Sequence, residues 1–405
     1  MDKKIPEIRF KGFTDDWEER KLKELGDIQT GNTPPTSDSD NYSLDGVLWV
    51  TPTDIKSLVI SNTAKKLSQV GVTKARIAKA GSILVTSIAS IGKNTLLRMD
   101  AGFNQQINSL TPTSENDSYF LLTQSEKWSE KMKQTAASAT MQIVNKTDFS
   151  NISTYVPVHK EEQEKIGSFF KQLDDTIALH QRKLDLLKEQ KKGFLQKMFP
   201  KAGEKIPELR FKGFTDDWEE RKLGELASFS KGNGYTKNDL VEFGDPIILY
   251  GRLYTKYETV IEKVDTFVNK KDKSIISEGS EVIVPASGES SEDISRASVV
   301  GKSGIILGGD LNIIKPVNYI DSIFLALTIS NGSQQKEMSK RAQGKSVVHL
   351  HNSDLKQVNI LYPKLEEQQK IGSFFKQLDN TIALHQRKLD LLKKQKKGFL
   401  QKMFI

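Results

Sequence analysis

Residues 161–199 read EEQEKIGSFFKQLDDTIALHQRKLDLLKEQKKGFLQKMF, and residues 366–404 repeat this stretch almost letter for letter. Within each copy, apolar residues recur at steps of three and four or their multiples, the spacing of a narrow stripe on one face of a long helix. At 1.5 Å per residue, each helix would be about 57 Å long, which is more than a small globular core needs. The copies differ at three positions, where Glu164, Asp175 and Glu189 become Gln369, Asn380 and Lys394.

A long helix with one apolar stripe is stable in water only when that stripe is covered. The nearest matching stripe is the other copy, so we predict that the two helices pair as an antiparallel coiled coil, a spacer and docking rod. His180 and Lys191 interrupt the first stripe, where a polar residue typically fixes the register. The predicted seam consists of Ile166, Phe170, Leu173, Ile177, His180, Leu184 and Leu187 in the first helix and of Ile371, Phe375, Leu378, Ile382, His385, Leu389 and Leu392 in the second.

A second repeat opens each half of the chain. Residues 5–25 (IPEIRFKGFTDDWEERKLKEL) return at 206–226 with two changes, and we call these two segments and the two long helices the frame. The inserts between opening and helix, 26–160 and 227–365, have nearly equal lengths but share little sequence. We therefore predict two different globular domains on one frame used twice, with domain limits at 1–160, 161–199, 200–365 and 366–405.

Both inserts contain short strand-like runs, turns and one helical segment. The predicted fold class is α+β, with two mixed α/β globules joined by the helix pair in a pseudo-twofold internal repeat. The first insert opens with a Gly/Thr/Pro-rich loop at 30–36, followed by predicted strands at 47–50, 83–85, 107–110 and 153–157 and a helix at 119–132. The second has predicted strands at 247–250, 281–285, 304–307, 312–314 and 357–363 and a helix near 320–329.

Composition narrows the class of protein. The 405 residues include no cysteine, which excludes a disulfide framework and a thiolate metal site and fits a reducing cytoplasm. Residues 1–10 are charged and no run of eighteen residues is wholly apolar, so we expect a cytoplasmic protein with no signal peptide and no membrane span. The net charge of +8 lies mostly on the last helix, where nine basic residues stand against four acidic ones. Such a helix end is either a solvated face or a contact for an anionic partner.

A search for catalytic and cofactor motifs finds none. The run KGNGYTK at 231–237 lacks the third glycine and the lysine-serine ending of a phosphate-binding loop. His349 and His351 alternate as two ligands on a strand could, but no third ligand is near. Ser287 has no GxSxG elbow, and NTPPT at 32–36 lacks the aromatic residue of the Asn-Pro-Pro-aromatic loop of amino-methyltransferases. We predict no catalytic residue, no metal site and no cofactor bound by this chain.

The inserts are instead rich in side chains that can read base edges. Asn and Gln suit adenine, Arg and Lys suit guanine, and Ser and Thr suit either, although polar loop residues can also be merely solvated. In the first insert the candidates are Thr51, Thr53, Asp54, Ser87, Ser90, Lys93, Asn104, Gln105 and Gln106. In the second they are Tyr235, Tyr250, Arg252, Tyr254, Lys256, Ser290, Arg296, Asn312, Lys345, Ser346 and His349.

Several motifs accompany the two near-identical helices that open EEQEKIGSFF and EEQQKIGSFF. They are TGNTPP at 30–35, WVTP at 49–52 with DI at 54–55, SIGK at 90–93 and NQ at 104–105. Together they resemble the specificity subunit of type I restriction-modification enzymes over essentially the whole chain, and they add Thr30, Asn32 and Thr33 to the candidates. The second domain departs from the pattern, since LYGR at 249–252 replaces the WVTP motif and LN at 311–312 replaces NQ.

The resemblance implies a non-catalytic protein that reads double-stranded DNA. Each domain would read one half of a bipartite site, while the helices would set the gap and dock two methyltransferase subunits. Those partners would carry S-adenosylmethionine and methylate adenine, and restriction/translocase subunits using ATP and magnesium would join for cleavage. The competing hypothesis is a non-catalytic helical scaffold or adaptor with two protein-binding domains. A lone nuclease is less favoured, because no paired carboxylates stand with a lysine at convincing spacing.

Overall fold

The structure is a computed structural model that describes residues 4–137, 143–342, 344 and 347–405. It divides into two compact units. The first unit comprises the described residues up to His180 together with Lys388–Ile405, and the second comprises Gln181–Arg387. Each unit therefore holds one insert, one opening segment and parts of both long helices.

The described part of the first unit contains twelve strands and four helices besides the long ones. The strands β1 to β12 are Glu18–Lys21, Gly26–Thr30, Tyr42–Ser43, Val47–Val50, Val59–Ile60, Lys65–Leu67, Ile77–Ala78, Ile83–Thr86, Asn94–Leu97, Ala101–Phe103, Ile107–Pro112 and Ser153–Val156. The helices α1 to α4 are Leu22–Leu25, Gln69–Lys74, Ser118–Ala137 and Lys146–Ser150, and the long helix α5 is Lys160–Lys197.

Two five-stranded sheets form the first insert, in the orders β2-β11-β8-β9-β5 and β3-β6-β4-β10-β7. Strand β8 is apolar without alternation because both of its faces are buried. Ile83 and Val85 face a core shared with α3, whereas Leu84 faces the core that also contains Val50 and Phe103. The opening segment joins the insert through an antiparallel β1–β12 pair.

The described part of the second unit contains thirteen strands and five helices besides the long ones. The strands β13 to β25 are Glu219–Lys222, Ala227–Lys231, Leu240–Val241, Asp245–Ile248, Val260–Ile261, Phe267–Val268, Val282–Pro285, Ser287–Gly288, Ser298–Val300, Ile306–Leu307, Leu311–Pro316, Val348–His349 and Asn359–Tyr362. The helices α6 to α10 are Leu223–Leu226, Arg252–Thr255, Ser322–Ile329, Gly332–Arg341 and Asn352–Leu355, and the long helix α11 is Leu365–Lys402.

The second unit repeats the topology of the first. Its main sheet has the order β14-β23-β19-β21-β17, its second sheet the order β15-β18-β16-β22, and β13 pairs with β25. The central strand β19 again faces two cores, with Val282 and Val284 on the side of α8 and Ile283 on the other. The predicted α+β class with an internal repeat is confirmed by this topology.

The long helices pack antiparallel within each unit. In the first unit the rings of Phe169 on α5 and Phe399 on α11 lie 5.0 Å apart, and Lys396 pairs with Asp174 at 2.7 Å. In the second unit Phe194 and Phe374 lie 5.0 Å apart, and Lys191, one of the polar residues in the stripe, pairs with Asp379 at 2.5 Å. All of the predicted seam residues are buried or half-buried.

A buried tryptophan anchors each opening segment. The ring of Trp17 lies 5.8 Å from that of Phe120 on α3 and 6.0 Å from that of Phe404 at the end of α11. Trp218 makes the same contacts in the second unit, at 5.5 Å from Phe324 and 6.1 Å from Phe199. These segments therefore clamp the end of a long helix onto the neighbouring insert.

The predicted strands and helices are all present, with shifted ends. Sequence reasoning missed four of the five strands of the second sheet in the first unit and two of the four in the second, because strands such as Lys65–Leu67 are two or three residues long and partly polar. It also missed α9, which is mostly polar and follows directly after the buried α8. Within the part of the chain that the structure describes, no helix is long and apolar enough to cross a membrane.

Candidate nucleic-acid interface

Four predicted residues of the first unit meet where β2 and β10 end. The Asn104 amide donates to Thr33 Oγ1 at 3.2 Å, and the backbone N–H of Gln106 donates to Asn104 Oδ1 at 2.8 Å. Thr33 Oγ1 donates to Gln105 Oε1. Gln105 is exposed, whereas Asn104 and Gln106 are half-buried. This is a polar cluster held by its own hydrogen bonds with one carboxamide turned outward.

The loop after β4 lies beside this cluster, because the backbone N–H of Asn104 donates to the carbonyl of Val50 at 2.9 Å. Asp54 stabilises the loop by accepting from the backbone N–H of Thr51 at 2.9 Å and from its hydroxyl at 2.5 Å. Thr53 is exposed and its hydroxyl lies 2.8 Å from that of Thr51. Asp54 therefore shapes the loop, and Thr53 is the more accessible side chain.

The loop at 87–93 joins the same cluster. Ser87 is only 3% exposed and donates to the carbonyl of Gln106 from both its N–H, at 2.8 Å, and its hydroxyl, at 3.0 Å. Ala89 has φ 61°, a left-handed conformation that is uncommon outside glycine and that marks a backbone held by its surroundings. Lys93 is exposed, and Ser90 is half-buried. Ser87 thus anchors a loop that presents Lys93.

Thr30 and Asn32 form hydrogen bonds with neighbouring segments of the same chain. Thr30 Oγ1 donates to Asn108 Oδ1 at 2.6 Å. Asn32 donates to the carbonyl of Lys74 at 2.7 Å and accepts from the N–H of Arg76 at 2.6 Å. The exposed Lys74 and Arg76 therefore lie at this cluster, although sequence reasoning missed them. The two basic residues of TKAR at 73–76 were the sequence signal that could have identified them.

The equivalent loops of the second unit are built from aromatic rings and ion pairs. The rings of Tyr250 and Tyr254 lie 6.2 Å apart, and burial raises the pKa of Tyr254. The Arg252 side chain is 8% exposed, and its guanidinium binds Glu258 at 2.6 Å and Asp265 at 2.9 Å. Lys256 also binds Asp265, at 2.6 Å, and this pairing lowers the pKa of that carboxyl.

Two predicted contacts of the second unit are buried. Tyr235 is 5% exposed, and its hydroxyl lies 2.5 Å from that of Ser274. Asn312 is 0% exposed and donates to the carbonyl of Leu350 at 2.8 Å. Its topological counterpart on β11 is the buried Asn108, which corrects the sequence match of LN at 311–312 to NQ at 104–105. In this conformation neither Tyr235 nor Asn312 is available to a DNA ligand.

The remaining candidates that the structure describes have partners within the second unit. Ser290 bonds Asp293 at 2.6 Å, and the guanidinium of Arg296 lies 5.9 Å from the ring centre of Tyr257. His349 opposes Ser287 in the β20–β24 pair. Lys345 and Ser346 lie outside the described residues. DNA contact by the candidates other than Tyr235 and Asn312 stays a prediction.

His349 and His351 do not form a metal centre with other ligands. Their rings are parallel within 2° and 6.4 Å apart, and both residues are exposed. Among the described residues, no group of three or more His, Asp or Glu side chains could hold a metal ion. The pair is therefore a stacked surface feature.

The whole chain is similar to known proteins. A family model described as the type I restriction modification DNA specificity domain matches residues 14–189 and again residues 215–394. The type I restriction enzyme MjaIX specificity subunit of Methanocaldococcus jannaschii is 23% identical, covering 96% of this chain and 92% of that protein. The MjaVIII specificity subunit of the same organism is 24% identical, covering 64% of this chain and 62% of that one.

A solved structure shares the fold. The S subunit of the type I restriction-modification system from M. genitalium matches with a TM-score of 0.68 at 15% identity, covering 99% of each chain. The resemblance drawn from the sequence is confirmed by the family match, which covers most of both halves of the chain. The chain therefore belongs to the family of type I restriction-modification DNA specificity domains and contains two copies of that domain.

Proposed function

We propose that this chain is the sequence-reading subunit of a type I restriction-modification complex and that each unit reads one half of a bipartite double-stranded DNA site. One observation carries the proposal: the frame is nearly identical in both units, while the loops that follow equivalent strands differ. Asn104 and Gln105 follow β10 in the first unit, whereas Gly308, Gly309 and Asp310 follow β22 in the second. A constant support with two different polar surfaces suits the reading of two different half-sites.

The long helices would dock two methyltransferase subunits and set the gap between the half-sites. Besides its covered seam, each helix carries two exposed leucines seven residues apart. Leu179 and Leu186 on α5 are each 58% exposed, and Leu384 and Leu391 on α11 are 59% and 49% exposed. Apolar side chains at this spacing lie on one face of a helix and suit a partner helix. The same pair of sites on both helices agrees with two copies of one partner.

The chemistry would reside in those partners. The chain would bind DNA without catalysing a reaction, and the methyltransferase subunits would carry S-adenosylmethionine. Restriction/translocase subunits would bring ATP and magnesium to the full complex. In this division of labour the present chain contributes affinity and sequence choice, which depend on hydrogen-bonding loops and a stable frame.

A binding experiment tests the DNA-reading role against the adaptor alternative. The purified chain is titrated with duplex DNA in a gel shift at stepped salt concentrations. A DNA reader binds and loses affinity steeply with salt, with a log–log slope of about −0.9 for each phosphate it neutralises. An adaptor for proteins shows no such binding, and that result would contradict the proposal.

Mapping adenine methylation in cells tests the proposed roles of the methyltransferase partner, of the loops and of the long helices. Methylation should appear only when a methyltransferase subunit is co-expressed, and exchanging the loop at residues 104–106 should alter one half-sequence only. Deleting one seven-residue repeat from both long helices should change the gap while both half-sequences stay the same. An altered half-sequence after that deletion would count against the helices as spacers.

A further inference from the structure

A cavity of about 1010 Å³ lies between the end of α5 and helix α9 in the second unit. One wall comes from the frame and includes Lys192, Leu195, Gln196 and Phe199. The opposite wall comes from α9, with Lys336 and Lys340 among its residues, and the segment from Pro200 to Ala202 closes one side. We call this cavity the basic cleft.

The first unit has a cavity at the equivalent place, and it differs in size and charge. Its frame wall consists of Lys397, Leu400, Gln401 and Phe404, the repeat copies of Lys192, Leu195, Gln196 and Phe199 in the basic cleft. The opposite wall is α3, which contributes Glu126, Glu130 and Lys127 where α9 contributes Lys336, Lys340 and Glu337, and the volume is about 260 Å³. Together with Lys397, the lining of the first unit's cavity carries two lysines and two glutamates, so its formal charges balance. The same frame wall thus faces α9 in one unit and α3 in the other, and only the second unit forms the basic cleft.

The charge of the basic cleft is largely uncompensated. Seven lysines and two glutamates line it. Glu208 holds two of these lysines, Lys197 at 2.8 Å and Lys201 at 3.5 Å, and Lys191 is paired in the helix seam. The other four are exposed and form no ion pair with any residue in the described ranges. These four are Lys188, Lys192, Lys336 and Lys340. A concave surface with one sign of charge raises the local concentration of an oppositely charged ligand.

The shape and the remaining lining favour a polypeptide over a nucleic acid. Leu195 is half-buried and lies with the exposed Ala202 among the lysines, giving the cleft an apolar patch. Non-specific binding of single strands uses exposed aromatic rings for base stacking, but the aromatic residue of the described lining, Phe199, is only 8% exposed. An acidic peptide with an aliphatic side chain can pair its carboxylates with the lysines and pack its aliphatic side chain on the apolar patch.

We propose that the basic cleft binds an acidic segment of a protein partner, with carboxylates against Lys188, Lys192, Lys336 and Lys340 and an aliphatic side chain on Leu195 and Ala202. Because the cavity of the first unit is smaller and its two lysines are balanced by two glutamates, each chain takes up one such segment. This stoichiometry differs from that of a partner that docks on both copies of the frame. The proposal does not depend on which DNA sequence the units read.

A labelled peptide tests this proposal with the full-length chain. The probe is a fluorescein-labelled peptide of glutamate pairs alternating with leucine, and its binding is followed by fluorescence anisotropy. We expect one peptide per chain and a rise in Kd of about tenfold or more in the K336E/K340E variant. The matched control is K393E/K397E, which reverses the frame lysines equivalent to Lys188 and Lys192 in the first unit and should leave Kd unchanged.

A second measurement exploits the absence of cysteine in the chain. An environment-sensitive dye on Ser333→Cys, in the basic cleft, should respond to the peptide, whereas the same dye on Glu126→Cys in the first unit should not. If K336E/K340E fails to fold, K336Q/K340Q removes the charge without reversing it and should still weaken binding. Equal weakening in both double variants, or two peptides per chain, would overturn the proposal. Loss of duplex DNA affinity in K336E/K340E with peptide affinity unchanged would also overturn it, by assigning the cleft to DNA.

Discussion

Arg9 and Glu162 form a bidentate ion pair, with Nε 2.7 Å from Oε1 and Nη2 2.8 Å from Oε2. Arg210 and Glu367 repeat it in the second unit at the same two distances. Both glutamate side chains are 1% exposed, and both arginine side chains are nearly buried. Each pair ties an opening segment to the first turn of a long helix, so the frame is closed twice by the same contact.

Removing one partner of this pair should be costly, because the other charge stays buried and unpaired. We expect Glu162→Ala to lower the free energy of unfolding by about 3 kcal/mol, and Glu367→Ala to do the same in its own unit. Urea denaturation followed by circular dichroism measures the loss. The double variant R9M/E162M, which removes both charges, should recover most of the stability. A single variant as stable as the wild type would show that the ion pair does not stabilise the frame.

Two glycines of the long helices lie in close contact with neighbouring residues, whereas two others face open space. A Cβ on Gly167 would lie 2.2 Å from Asp117 Oδ1, and one on Gly372 would lie 2.8 Å from Asp321 Oδ1. Nothing lies within 4 Å of a Cβ on Gly193 or Gly398. Gly167→Ala and Gly372→Ala should therefore destabilise, whereas Gly193→Ala and Gly398→Ala should stabilise by about 1 kcal/mol through helix propensity. Thermal unfolding of the four variants checks the prediction, and the same sign at all four positions would contradict it.

The carboxyl of Asp321 caps helix α8 by accepting from the N–H of Phe324 at 2.8 Å. Burial raises its pKa, although this hydrogen bond opposes the shift. Because the pKa is higher in the folded than in the unfolded chain, the contribution to stability is complete below the unfolded value of about 3.9 and is lost as the pH rises through the folded value.

Asp321→Asn should remove this pH dependence while keeping the cap, since asparagine is an equally good N-cap residue. The stability difference between variant and wild type should shift in favour of the variant as the pH rises from mildly acidic to neutral. Urea denaturation across that range measures it. Asp117→Asn is the counterpart in the first unit, where burial also raises the pKa of the carboxyl. A difference that is constant with pH would show that Asp321 does not titrate in that window.

The frame could be predicted from the sequence because its signals are local and repeated. The stripe from Ile166 onward and the tryptophan of each opening segment each predict burial without knowledge of the fold. It was harder to predict which of the candidate side chains in the loops are accessible to DNA. Asn312 and Asn104 are both asparagines beside apolar strands, yet one is fully buried and the other half-exposed. Only the strand pairing, which brings together residues far apart in the chain, separates a structural carboxamide from an available one.

Gln105 is the exposed carboxamide of the first unit's cluster, and it should contribute to base choice. Under the proposed function, Gln105→Ala should weaken binding to the cognate duplex by about 2 kcal/mol and relax specificity at one position of one half-site. Fluorescence anisotropy with cognate and single-base-variant duplexes measures both effects. Glu115→Ala, an exposed change on the β11–α3 loop, serves as the control. Equal affinity of Gln105→Ala and wild type for all duplexes would exclude Gln105 from base reading.

Lys93 and Arg252 were both predicted to contact DNA, and their surroundings now predict opposite behaviour. Lys93 is exposed and forms no ion pair with the residues that the structure describes, whereas the Arg252 side chain is 8% exposed and binds two carboxylates. Lys93→Ala should therefore weaken DNA binding and reduce the salt slope by about one unit, with little change in stability. Arg252→Ala should instead lower stability by about 1 kcal/mol, because the nearly buried arginine side chain loses its packing and its hydrogen bonds to Glu258 and Asp265. Thermal unfolding and salt-dependent binding are measured on both variants. Lower DNA affinity in Arg252→Ala at an unchanged melting temperature would place its guanidinium on the DNA and contradict the structural role.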